Sequence, residues 1–113
     1  MRAIGYTLLE PPWEESIQKD KEAFFHYCRE QGHQPMNLFT EPTASEAPPD
    51  IQYQRMLEYM GTSGSEFLVV IPDSRHLGTD LENVTKRMLE LDSLGAKVVC
   101  TDDDFPDPLQ NAL

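Results

Sequence analysis

The sequence predicts an α/β domain of three layers, with helices on both faces of a four-stranded, mainly parallel sheet. Three observations carry that prediction. Phe67 to Ile71 is an unbroken apolar run, β-branched at Val69, Val70 and Ile71, that stops at Pro72. Such a run reads as a strand buried on both faces, the usual state of a central parallel strand. A polar loop, Asp73-Ser74-Arg75-His76, follows, and then Thr79 and Glu82 stand at the Ser/Thr-x-x-Glu spacing of a capping box, which starts a helix. Along the chain, apolar runs and amphipathic stretches alternate as β-α-β-α-β-α-β, the order that builds a parallel sheet through crossover helices. The 113 residues suffice for one such domain, predicted over residues 1–105, with 106–113 as a C-terminal tail.

Taken in order, Ala3 to Leu9 reads as a first strand, apolar enough to be central. Glu10-Pro11-Pro12-Trp13 reads as a stiff loop, with Trp13 as a lid on the edge of the core. Glu14 to Gln31 is a helix whose Ile17, Phe24, Tyr27 and Cys28 share one face. Glu14 and Glu15 suit its positive N-terminal end, and Gly32 suits its C-cap. Pro35 to Thr40 is a weak strand, expected at an edge. Glu41 to Pro49 reads as a mobile loop, and Asp50 as the N-cap of a helix to about Met60 with Ile51, Met56, Leu57 and Met60 inward. Leu81 to Leu94 is a third helix with the stripe Leu81, Val84, Met88, Leu91, closed by Gly95. Lys97 to Thr101 is the last strand.

Charge bounds the function. Twenty acids against nine bases give a net charge of -11, which repels DNA and argues against an independent grip on nucleic acid. No segment approaches the roughly 18 apolar residues of a membrane span, and the N-terminal residues show no signal-peptide pattern, so the expected location is the cytosol. Cys28 and Cys100 fall in different elements without a CxxC, as reduced thiols do. His26, His33 and His76 have no metal-ligand spacing, and no cofactor is expected.

Ligands of open α/β sheets bind at the carboxyl ends of the strands. The loops expected there carry Glu10, Asp73, Ser74, Arg75, His76 and the run Asp102-Asp103-Asp104. Ser74 and His76 could in principle form a nucleophile and its base, but they stand two apart in one loop with no glycine-flanked elbow. Glu10, Asp102 and Asp104 are weak candidates for a hard cation, which would support a metal-dependent phosphodiesterase. No glycine-rich phosphate loop is present.

Four stretches in register resemble the N-terminal catalytic domain of the resolvase/invertase family of serine recombinases. Tyr6-Thr7-Leu8-Leu9-Glu10 stands where that family has Tyr-x-Arg-x-Ser. Phe39 to Ser45 is similar to its Phe/Tyr-x-Asp-x-x-x-Ser pattern. Ser74 to Thr79 matches its Asp-Arg-Leu-Gly-Arg segment with one residue inserted. Leu91 to Val98 matches its Leu-x-x-x-Gly-x-x-Val run. The resemblance implies a resolvase-like fold. It also implies a serine that attacks a DNA phosphodiester, with arginines binding the phosphate. Here Glu10 takes the nucleophile's place, Leu8 and Ile51 stand for arginines, and Thr79 replaces the last arginine. Only Ser45 and Arg75 match residues that line the family's site, and Tyr6, Asp73, Ser74 and His76 are further candidate loop residues. A plainer reading gives them local roles, Ser45 capping a turn and Arg75 pairing with Asp73 or Asp102. The expectation is therefore a catalytically silent interaction or regulatory module whose partner is another protein or a second copy. The alternatives are an accessory component of a recombination system that meets DNA through other segments, and the acidic-cluster phosphodiesterase.

Overall fold

The computed structural model describes residues 1–42, 50–63, 66–78 and 80–101. The strands are β1 (Arg2–Leu9), β2 (Gln34–Pro42), β3 (Phe67–Ile71) and β4 (Ala96–Cys100). The helices are α1 (Trp13–Gln31), α2 (Ile51–Ser63) and α3 (Leu81–Ser93). All strand pairs are parallel, in the order β2-β1-β3-β4. The two most apolar strands are the central ones, and β2 lies at an edge, as their composition predicts.

The order of the strands explains the layers. The chain leaves β1 in one direction to reach β2, then crosses back over β1 to β3 and continues to β4. Crossovers of one hand that run in opposite directions place their helices on opposite faces. The side chains alternate accordingly. Ile4, Tyr6, Phe67, Val69 and Ile71 form one core with Tyr53, Met56 and Met60 of α2 and Val84, Met88 and Leu91 of α3. Ala3, Leu68 and Val70 form a smaller core with Phe24 and Cys28 of α1 alone. Cys100 packs against the larger core, so the two thiols lie on opposite faces of the sheet.

Several local readings need correction. α1 begins directly after Pro12, which caps it through its carbonyl to Ser16 N–H, so Trp13 is helical and not part of a loop. Ile17 is 40% exposed because only one side of α1 meets the sheet. Glu41 and Pro42 belong to β2, and Glu41 is buried. Its carboxylate accepts the Gln52 N–H at 3.0 Å, doing the capping expected of Asp50. Asp50 instead takes a left-handed backbone, φ 69°, and turns its side chain to Arg87. α2 runs three residues beyond Met60 and buries Tyr53, while Ile51 is only half-buried. α3 is capped by Asp80, which accepts the Asn83 N–H at 2.8 Å. As the first helical residue, Leu81 projects into solvent, 63% exposed. Thr79, Ser45 and the rest of the predicted loop over 43–49 lie outside the described residues, as do Asp102 to Asp104 and the predicted tail.

β2 carries features that blunt an edge strand. Its register with β1 slips between Ala3 and Ile4, leaving Met36 as the extra residue of a bulge. Pro35 and Pro42 bring no N–H, and the Leu38 N–H is taken by the Asn37 side chain at 2.8 Å. Close packing centres on Gly5. A Cβ there would stand 2.5 Å from Leu38 Cδ1 and 2.9 Å from Phe24 Cδ1. Gly5→Ala is therefore expected to cost about 1–3 kcal/mol through overpacking, with part of the loss recovered in a Leu38→Ala background. Urea unfolding of the two variants and their combination measures this.

Candidate functional site

β1 and β3 are neighbours whose following connections leave in opposite directions, so the crevice between their carboxyl ends is the topological switch point of the sheet. A cleft of about 350 Å³ lies there, lined by Leu8 from β1, the Arg75–Gly78 turn after β3, Asn83 and Arg87 of α3, and Asp50.

The turn is built on Asp73. Pro72 ends β3, and the buried Asp73 carboxylate accepts the Arg75 N–H at 2.9 Å, starting a 3-10 turn over Ser74–His76. The same carboxylate takes Arg75 Nε and Nη2 at 3.0 Å each, a fork-to-fork pair. Burial pushes the Asp73 carboxyl up, but the hydrogen bonds from Arg75 outweigh it and hold the group below its ordinary value. Asp73 is one of the two partners that the sequence offers for Arg75. The Arg75 side chain is 66% exposed, so its net contribution to stability is small.

His76 closes the turn onto the sheet. β3 pairs with β1 only as far as Gly5, while β2 pairs through Leu9. Past Gly5, the Leu8 N–H donates to His76 Nδ1 at 2.9 Å, and His76 Nε2 faces Asp73 Oδ2 at 4.0 Å. With Nδ1 as acceptor, the proton of the neutral ring sits on Nε2. Burial pulls the His76 pKa below its ordinary value, against the opposing fields of Asp73, Asp20 and Glu10. Nδ1 is thus committed to the Leu8 backbone, and Nε2, with its proton, lies on the Asp73 side.

Glu10 stands exposed just past β1, its N–H donating to Ser16 Oγ at 3.3 Å. Tyr6 is not a loop residue of the cleft, because it is fully buried in the larger core, edge-on to Tyr53. Burial, with Glu41 adding, pushes its phenol up to about 12. Its hydroxyl meets no partner within ordinary hydrogen-bond limits, although Arg87 faces it. Thr7 and Asp20 form a second pair of this kind on the α1 face, where burial raises the Asp20 carboxyl.

Arg87 is the cleft residue that the sequence reading missed. It is stacked over the Tyr53 ring, 4.1 Å from its centroid, and paired with Asp50 at 2.8 Å. Tyr53 in turn hydrogen-bonds Glu90. The available signal was its place beside Met88, on the flank of the apolar stripe of α3, from which a long side chain can reach over the core. Both arginines of the cleft therefore already hold carboxylates. Among the described residues no three His, Cys, Asp or Glu side chains converge as a metal site, and no helix is long and apolar enough to cross a membrane.

No protein-family model and no curated protein matches this chain. Solved structures do. The C-terminal catalytic domain of ISC1926 TnpA, an IS607-like serine recombinase, superposes with a TM-score of 0.76 at 11% identity over 98% of this chain and 74% of its own. A resolvase family site-specific recombinase from Streptococcus pneumoniae gives 0.77 at 13% identity, over 99% and 82%. The N-terminal catalytic domain of TP901-1 integrase gives 0.72 at 14% identity, over 88% and 76%. The fold is that of serine recombinase catalytic domains, as the four sequence motifs imply.

The His76 contacts fix two expectations. His76→Ala leaves the Leu8 N–H without its acceptor and costs about 1–3 kcal/mol, while His76→Asn, whose amide oxygen occupies the place of Nδ1, recovers part of this. A folded-state pKa below 6.5 means that the unfolded chain binds the proton more readily. The stability tied to neutral His76 is complete above pH 6.5 and falls as pH drops from there toward the folded-state value. Denaturant titrations across this range show the slope in wild type and its loss in His76→Asn.

Proposed function

We propose that this chain is a catalytically silent domain of serine recombinase fold that acts through contacts with other proteins. The end of β1 carries the reading. By motif correspondence, Glu10 occupies the place of the family's nucleophilic serine and Leu8 that of an arginine two residues earlier. A carboxylate cannot form a phosphoserine link, and its charge opposes a phosphodiester. Ile51 and Thr79 stand for two further arginines, and loss of even one such donor costs about 10²–10³ in rate. The geometry of the cleft supports the same conclusion, since Arg75 and Arg87 are neutralised by Asp73 and Asp50. A net charge of -11 adds long-range repulsion of DNA.

The test is a nicking and gel-shift assay on supercoiled DNA at low salt, with Mg²⁺ and with EDTA. Neither a nick nor a shift is expected, and Glu10→Ser combined with Leu8→Arg restores no cleavage because the other donors remain absent. Cleavage by the wild-type chain would overturn the reading, and Mg²⁺-dependent cleavage would move the chemistry to the acidic residues.

A further inference from the structure

Asp50 and Arg87 meet at the wall of the strand-end cleft, and their contact is thin. One carboxylate oxygen faces one guanidinium nitrogen at 2.8 Å, and the Asp50 side chain is 42% exposed. Asp73, by contrast, holds Arg75 through two side-chain bonds and one backbone bond. An exposed, single-contact pair adds little to stability. α2 does not need the Asp50 carboxylate, because Glu41 caps the Gln52 N–H. The Asp50 carbonyl accepts the Gln54 N–H at 2.9 Å and holds the backbone in place. Release of Arg87 therefore takes only a rotation of the Asp50 side chain.

The guanidinium is positioned without Asp50. Arg87 is only 22% exposed and lies over the Tyr53 ring, which is anchored in turn by a hydrogen bond to Glu90. The Tyr6 hydroxyl, fully buried and facing Arg87, meets no partner within ordinary hydrogen-bond limits. A largely buried cation on an aromatic platform, with an unused hydroxyl facing it and a cleft of about 350 Å³ in front, is a preorganised anion site.

We propose that Arg87 is the centre of a carboxylate-binding site, and that Asp50 is its internal stand-in, displaced when a carboxylate from outside enters the cleft. The Asp50 carboxylate defines the chemistry, a monoanion that accepts from one edge of the guanidinium. A phosphate dianion is disfavoured, because it would bring a second negative charge into a cleft beside Asp73, in a chain of net charge -11. Arg87 lies outside the four segments that resemble the recombinases. The inference therefore stands independently of whether the end of β1 has lost its chemistry. A small organic acid and an acidic side chain of another protein both carry the group, and the test separates them.

The test follows the Arg87 Nε–H by NMR in the whole chain, as wild type and as Asp50→Asn. Asparagine tolerates the left-handed backbone of this position, φ 69°, and an unchanged melting point shows that the variant folds. Acetate is titrated at constant ionic strength set by chloride, with acetamide as the neutral counterpart and inorganic phosphate as the competing anion. Saturable shifts are expected with acetate in both chains, about fivefold tighter in Asp50→Asn, and none with acetamide. A blocked alanine tripeptide with glutamate at its centre forms the second arm. Tighter binding of that peptide than of acetate assigns the carboxylate to a protein, and equal or weaker binding to a small acid; either supports the site. The absence of a saturable acetate shift, an equal response to acetamide, or tighter binding of phosphate overturns the proposal. So does equal acetate affinity in the two chains, since Asp50 would then not occupy the site.

Discussion

The hydrogen bond from the Leu8 N–H to His76 Nδ1 solves the main problem that this sheet poses. A central parallel strand must satisfy its backbone groups on both sides, but β3 ends at Ile71, and its pairing with β1 ends at Gly5. β1 runs four residues further. On the β2 side those residues have partners. On the β3 side an imidazole takes over where the strand stops. The turn that delivers the imidazole is set by Asp73, and the same turn sends Leu77 into the larger core. The crevice at the switch point owes its shape to that contact, because Leu8, Arg75, His76 and Leu77 all line it.

The electrostatics of the crevice follow from the same economy. Asp73 needs cationic partners because it is buried, and Arg75 supplies two donors from its side chain and one from its backbone. Arg87 crosses the flank of the core over Tyr53, and Asp50 meets it at the rim. Each guanidinium is thus balanced by a carboxylate of the chain itself. The cleft therefore carries two ion pairs of different depth, one on the buried Asp73 and one on the half-exposed Asp50.

Much of this architecture was legible in the sequence, because apolar periodicity is a strong signal. The run Phe67 to Ile71 and the stripe Val84, Met88, Leu91 found their places. The failures share a cause, which is that short-range signals were overruled by partners distant in sequence. Asp50 has the chemistry of a cap, but Arg87 from α3 claims its carboxylate and Glu41 caps α2 in its stead. Thr79 and Glu82 fit a capping box, yet Asp80 reaches the Asn83 N–H. Tyr6 stands in a motif that suggests a site, while strand alternation turns it into the core beside Tyr53. His76 read as a candidate in a polar loop, and nothing local indicated that its acceptor nitrogen would meet a backbone donor 68 residues away. The serine recombinase resemblance succeeded for the fold because it rests on four ordered segments and not on one residue.

The uneven division of the core has a dynamic consequence. Among the described residues, fourteen buried side chains form the cluster under α2 and α3, and five form the one under α1. Proteins open in cooperative units whose free energies track the apolar contact that each unit would lose. One face of the sheet therefore depends on a single helix, anchored by Phe24 and Cys28, where the other is shared between two, so any loss of packing in α1 exposes the whole of the smaller cluster at once.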